Sequence, residues 1–138
     1  MLPSHFRGLA SYTALAFGKE SIGEPWTVET ALKHIEEGYN KTFSLVAEEN
    51  GELIGGLVAY PSTYEKGTEL FIDILVVRSD KRGQGIGQQL FNRALELAKE
   101  NDLVGVRFLS HPQLPSFNWY KKLGLKESGW REMVRFFV

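Results

Sequence analysis

Glu69-Leu70-Phe71-Ile72-Asp73-Ile74-Leu75-Val76-Val77 runs through Arg78-Ser79-Asp80-Lys81 into Arg82-Gly83-Gln84-Gly85-Ile86-Gly87-Gln88-Gln89-Leu90. The first nine residues are rich in β-branched and aromatic types and predict a strand. Ile86, Leu90, Ala94, Leu97 and Ala98 recur at helical spacing and predict a helix to about Asn101. Between them Gly83, Gly85 and Gly87 let main-chain N–H groups turn inward together and approach a ligand closely. The helix that starts there adds its unpaired donors and the positive end of its dipole. Strand, glycine turn and helix together make a cradle for phosphate oxygens. A P-loop would need Gly-Lys-Ser/Thr, but Gln88-Gln89 follows Gly87. A dinucleotide fold needs G-x-G-x-x-G inside a βαβ array, and the spacing here is G-x-G-x-G. A third pattern, Arg/Gln-x-x-G-x-G/A, is met by Arg82, Gly85 and Gly87.

Working outward toward the C-terminus, Val104–Leu109 reads as another strand. Pro115 opens a short helix and Gly124 closes it. A last strand is expected over Arg131–Val138. Toward the N-terminus, Thr42–Glu48 alternates and Leu53–Tyr60 returns. Asn50-Gly51 between them is the dipeptide favoured by a type I′ turn, and Pro61 is expected to stop the return strand. A helix is expected over Val28–Glu37, with Ala31, Leu32 and Ile35 on one face and Gly38 as a left-handed cap. Another is expected over Phe6–Phe17, ending near Gly18. No repeat or linker interrupts this order, so residues 1–138 read as a single α/β domain, in the α+β sense.

The stretch from Leu70 to Leu125 resembles the GNAT superfamily of acetyl-CoA-dependent N-acetyltransferases. Leu75-Val76-Val77 with Arg82–Gly87 is one anchor. Trp119-Tyr120-Lys121-Lys122-Leu123-Gly124-Leu125, similar to the family's aromatic-Tyr-x-Lys-x-Gly-Phe segment, is the other. The resemblance implies a mixed, mostly antiparallel central sheet flanked by helices. Met1–His5 leave little room for the family's first strand, so the amino-terminal strand is expected to be short or absent. The resemblance also implies that the backbone of Arg82, Gly83, Gln84, Gly85, Ile86, Gly87 and Gln88 holds the coenzyme A pyrophosphate. Leu75, Val76 and Val77 would then pair with the pantetheine arm, one N–H steadying the thioester oxyanion. Gln113 stands where the family often has an Asn that bonds the pantetheine. Lys121 and Lys122 could meet the ribose phosphate or simply face solvent.

Amine attack on a thioester requires an ammonium to lose a proton and a thiolate to gain one. Tyr120 matches the family's tyrosine proposed to protonate the thiolate; a packed aromatic beside Trp119 is the plainer alternative. For the base, Glu69 and Asp73 share strand parity with Leu75 and Val77, which would set both carboxylates toward the acyl arm. Asp73 acting through water is preferred to Glu69, beside a purely structural role for either. His111, just before Pro112, reads as a loop residue more readily than as a base.

The first two helices and their loop hold Glu20, Glu24, Glu29, Glu36 and Glu37 against Lys19 and Lys33, with Trp26 beside Pro25. Such a mouth favours a cationic primary amine, small or peptidic, unless Trp26 packs inward and the glutamates are merely solvated. A protein that binds acetyl-CoA or CoA without turnover, as a sensor or assembly subunit, is the alternative of a different class.

Composition bounds the rest. The chain has 138 residues, 43% hydrophobic and 12% aromatic, enough for a real core. Net charge is −1, but residues 1–69 carry five basic and ten acidic residues, and residues 70–138 eleven and seven. That division suits an anionic ligand in the second half and a cationic one in the first. The basic half lacks a dense Lys/Arg–aromatic array, so no nucleic-acid partner is expected. The absence of Cys removes disulfides, thiolate nucleophiles and cysteine–metal sites, and no metal is expected. No apolar run approaches the roughly 18 residues of a membrane helix. Arg7 with Leu9–Phe17 faintly resembles a signal peptide, but Ser11-Tyr12-Thr13 interrupts it; a cytoplasmic protein that needs no membrane is expected. An open sheet edge and an apolar C-terminal segment lead to the expectation of a homodimer.

Overall fold

The computed structural model describes residues 1–137. After a short 3₁₀ turn at Pro3–His5, two helices follow, α1 (Phe6–Phe17) and α2 (Val28–Gly38). Three strands come next, β1 (Leu45–Glu49), β2 (Glu52–Tyr64) and β3 (Gly67–Val77). The chain then passes through α3 (Ile86–Glu100), the two-residue β4 (Val106–Arg107) and α4 (Pro115–Lys122). The sheet order is β1-β2-β3-β4. The first three strands are antiparallel neighbours and β4 runs parallel to β3. Among the described residues no strand precedes α1, as expected.

Local chemistry explains most boundaries. Thr27 caps α2: its hydroxyl accepts from the Thr30 N–H at 3.1 Å. Asn50 and Gly51 both have positive φ, 52° and 77°, the type I′ signature that their sequence predicts. Pro115 starts α4 and Gly124, at φ 93°, ends it.

The two faces of the sheet are covered by different helices. On one, Leu57, Ala59, Leu70 and Ile72 pack against Leu90, Phe91, Ala94 and Ala98 of α3. On the other, Val58, Ile74 and Val76 meet Leu9 and Ala10 of α1 and Ala31 and Ile35 of α2. Each set leaves water; period-2 alternation lets β2 feed both layers, whereas in β3 a break in the alternation between Ile72 and Ile74 moves the apolar residues from one layer to the other.

Several boundaries differ from the sequence reading, each for a physical reason. Strand β1 starts at Leu45 rather than Thr42, because the Asn40 side chain accepts from the Thr42 and Phe43 N–H groups and holds them in a turn. Pro61 does not stop β2: β1 ends its pairing opposite Leu57, so Pro61 lies where β2 has a free edge, and a missing N–H is tolerated there. Gly38 is not a left-handed cap. It is the last helical residue, and extended Tyr39 follows it. The strand expected over Val104–Leu109 pairs only at Val106 and Arg107, with Leu70 and Phe71. The strand expected over Arg131–Val138 is also absent from residues 131–137, while Val138 lies outside the described residues. No sheet edge meets that segment, and Met133, Phe136 and Phe137 remain 78–93% exposed.

The shared parity of Glu69, Asp73, Leu75 and Val77 fails as well. Val58 pairs with Ile74 and Ala59 with Ile72, so Asp73 is the extra residue of a β-bulge. The bulge reverses the alternation. Leu75 packs with the α3 layer, while Asp73 reaches α2 on the opposite face.

Candidate active site

Strand β3 pairs with β4 at Leu70 and Phe71 and then runs on to Val77 with no further strand partner on that side among the described residues. Polar main-chain groups on that edge of Ile72–Val77, apart from the Val77 carbonyl that the Arg82 side chain engages, therefore have no strand partner and can pair with an extended ligand. The edge leads directly into the glycine turn. Gly83 and Gly85 have φ of 78° and 83°, a region that non-glycine residues seldom adopt. Within the described residues, none of the main-chain N–H groups from Gly83 to Gln88 donates to a backbone or side-chain acceptor; the ladder of α3 begins with Gln89 donating to Gly85 at 3.0 Å. The arrangement is a row of unpaired donors at the positive end of a fifteen-residue helix. Arg82 is occupied with building the turn. Its Nε donates to the Val77 carbonyl at 2.9 Å, and its Nη2 meets Glu20 Oε1 of the α1–α2 loop at 2.9 Å.

Tyr120 of α4 packs among aromatic rings on the α3 side of the sheet, 4.4 Å from Phe108, 5.7 Å from Phe91 and 5.0 Å from Trp119 between centroids. Leu75 and Ile86, the strand end and helix start that flank the turn, pack against the same cluster. The Tyr120 hydroxyl makes no hydrogen bond with the described residues, and burial pushes its pKa up to about 12. Gln113 and Lys122 stand exposed near the two ends of α4. Lys121 pairs with Glu127 at 3.1 Å. His111 accepts the Gln113 N–H at 3.1 Å, within its own turn.

The two carboxylates of β3 have different surroundings. Glu69 is buried and held by a two-point contact with Arg107, at 3.0 and 3.1 Å, while the Arg107 guanidinium also lies 4.1 Å over the Tyr64 ring. Asp73, at the bulge two residues beyond the last β3–β4 pair, bonds His34 Nε2 of α2 at 3.0 Å. That hydrogen bond, opposed by burial, raises the His34 pKa above its usual value, and the charges of Asp73 and Glu37 add to the rise. The His34 ring lies 5.4 Å from Trp26, whose Nε1 donates to Glu24 at 3.2 Å. Tyr60, its ring tilted against Phe71, completes this side; its phenol pKa is raised by burial and by the Asp73 charge.

The structure thus separates the expected residues into two groups. Leu75, the glycine turn and Tyr120 belong to the α3 side, whereas Glu69 and Asp73 belong to the α2 side. His34 and Arg107 join them without a sequence signal of their own. Arg107 becomes a partner of Glu69 only through the β3–β4 register. His34 borders the apolar stripe Ala31–Ile35–Gly38, which is the one hint that it faces the sheet.

Residues 11–125 match the model of the Acetyltransferase (GNAT) family. A Bacillus subtilis protein described as a candidate [ribosomal protein bS18]-alanine N-acetyltransferase is 30% identical over 116 residues, 81% of this chain and 72% of its own length. The uncharacterized N-acetyltransferase MJ1207 of Methanocaldococcus jannaschii is 29% identical over 138 residues; the match takes in 94% of this chain and 57% of that protein. Among solved structures, a Clostridium acetobutylicum protein described as a predicted acetyltransferase and crystallised with acetyl-CoA superposes with a TM-score of 0.77 at 19% identity, covering 97% of this chain and 92% of the other.

Proposed function

The chain belongs to the GNAT acetyltransferase family and is an acetyl-transferring enzyme; on that premise we propose that it moves the acetyl group of acetyl-CoA to a primary amine by direct attack. The observation that carries the coenzyme assignment is the continuity of the free β3 edge with the row of unpaired N–H groups from Gly83 to Gln88. An extended arm paired along Leu75–Val77 would bring its pyrophosphate to that row, where backbone donors and the helix dipole favour anionic oxygens. The thioester end would then lie toward the bulge at Asp73. Gln113 and Lys122, being exposed, suit the outer parts of the same ligand.

In this reading the amine lone pair attacks the thioester carbon, a main-chain N–H of β3 stabilises the oxyanion, and the C–S bond breaks. Tyr120 stands on the coenzyme side to meet the departing sulfur. A phenol near 12 is a weaker acid than a thiol near 8.5, so complete transfer from Tyr120 alone would run uphill. Tyr120 therefore holds the thiolate by a hydrogen bond and gives its proton only as the proton shed by the amine becomes available. Glu69 is committed to Arg107, which leaves Asp73 as the β3 carboxylate assigned to the acceptor side.

The acceptor class follows from what surrounds Asp73. Trp26, Glu24, Glu37 and Tyr60 make an acidic, aromatic surface suited to an ammonium group on a small molecule or a peptide. The B. subtilis relative's name points to a protein N-terminal alanine as one member of the test panel. The test is release of free CoA from acetyl-CoA with a panel of peptides, polyamines and aminoglycosides. Release that depends on an amine is expected; none across the panel would refute this function. We propose a cytoplasmic location. Among the described residues no helix is long and apolar enough to cross a membrane. We also propose a homodimer that covers exposed Met133, Phe136 and Phe137.

A further inference from the structure

We propose that His34, oriented by Asp73, is the group that takes the proton from the acceptor ammonium. The proposal rests on the acetyl-transfer reading above, and it begins from a contact between two elements far apart in sequence. Asp73 is the bulged residue of β3, and the bulge is what turns its carboxylate away from the α3 layer and toward α2. There it meets one ring nitrogen, His34 Nε2, at 3.0 Å. In the neutral imidazole this contact places the hydrogen on Nε2, donating to Asp73, and leaves the lone pair on Nδ1. Nδ1 has no partner among the described residues, and the side chain is 38% exposed. The pair thus presents an oriented, solvent-reachable base backed by a carboxylate, the arrangement that lets an imidazole accept a proton and hold the resulting charge.

Two further features point to the same use. The first is the close approach of α2: a Cβ on Gly38 would sit 2.8 Å from Asp73 Oδ2 and 3.3 Å from Val58, so the glycine keeps open the space that the carboxylate occupies. The second is the wall around the ring. Trp26 lies 5.4 Å away, with Glu24 bonded to its indole; Glu37 lies on the same helix, and Tyr60 stands beside Asp73 from β2. These groups are acidic or aromatic, and they attract an ammonium to the ring before it is deprotonated. The step balances simply. One N–H bond of the ammonium breaks as an N–H bond forms at Nδ1, and the freed amine attacks. Its second proton is shed as the C–S bond breaks and balances the protonation of the departing thiolate through Tyr120, while the imidazolium returns the first proton to solvent.

His34→Gln is the informative variant, because its amide N–H can still serve Asp73 while no titrating lone pair remains. In wild type kcat/KM should rise with pH through the raised His34 pKa. In His34→Gln it should be about 10²- to 10⁴-fold lower, that rise should vanish, and the KM for acetyl-CoA should not change. Asp73→Asn should move the rise to lower pH, because the neighbouring negative charge is gone. Nitrogen-15 NMR of the wild-type ring supplies a test without a variant: the neutral form should carry its hydrogen on Nε2, and the Nδ1–H tautomer would overturn the proposal. An unchanged rate and pH profile in His34→Gln would overturn it as well, while leaving acetyl transfer intact. If wild type itself acetylates no amine, the function proposed above fails and this assignment falls with it.

Discussion

Replacing Gly38 with alanine probes the α2–β3 contact with the smallest possible change. Alanine is the better helix former by up to about 1 kcal/mol, the full amount applying in a helix interior, so an unobstructed site at this last helical residue would still gain stability. The site is obstructed. The new methyl would lie 2.8 Å from Asp73 Oδ2, whereas ordinary contacts of a Cβ start near 3.4 Å. The carboxylate or the helix end must give by about half an ångström, since the Val58 methyl at 3.3 Å blocks retreat on another side. A bond of 3.0 Å between Asp73 and His34 that lengthens by that amount leaves the hydrogen-bonding range. The helical gain and the steric cost should roughly cancel, leaving thermal stability within about 1 kcal/mol of wild type. Catalysis should not be spared: misplacement of this size near reacting groups costs up to about 10²-fold. The assay is kcat/KM for an amine acceptor beside a thermal melt and acetyl-CoA titration. Full activity with a stability gain of about 1 kcal/mol would show that the carboxylate moves freely or does not matter, and the reasoning would fail.

Gly85→Val should abolish acetyl-CoA binding while the melt stays cooperative, because φ of 83° is barred to a β-branched residue and the turn must reshape; unchanged affinity by calorimetry would argue against the cradle. Tyr120→Phe should lower kcat about 10- to 1000-fold with the acetyl-CoA Kd nearly constant, and equal turnover would return Tyr120 to a packing role. His34 has its pKa raised in the folded state, so its contribution to stability is fully present below the unfolded value of 6.5 and fades as pH rises through the folded one. Denaturation of wild type and His34→Gln should accordingly diverge toward acid and converge toward alkaline pH. Sedimentation at micromolar concentration should show a dimer that weakens when Phe136 and Phe137 become serine; a single monomeric species in wild type would dismiss it.

How much of this was legible in the chain depends on how local the determining interaction is. The glycine turn, the Asn50-Gly51 hairpin and the Pro115 helix start each depend on a few adjacent residues, and each appears where the sequence places it. The Asp73 bulge does not. It arises from pairing with β2, which sets Val58 opposite Ile74 and Ala59 opposite Ile72, and nothing within β3 announces that one residue is extra. Period-2 reasoning therefore carries Asp73 to the wrong face. It likewise misses that Glu69 is neutralised by Arg107, a residue 38 positions away. The C-terminal segment fails in the opposite way: its apolar residues suit a strand, but a strand also needs an edge to bond, and sequence alone does not say whether one is within reach. The same limit conceals His34. A histidine at the margin of an amphipathic helix is unremarkable until a bulge on the facing strand turns a carboxylate toward it, so the base we assign arises from the packing of two elements and is encoded in neither alone.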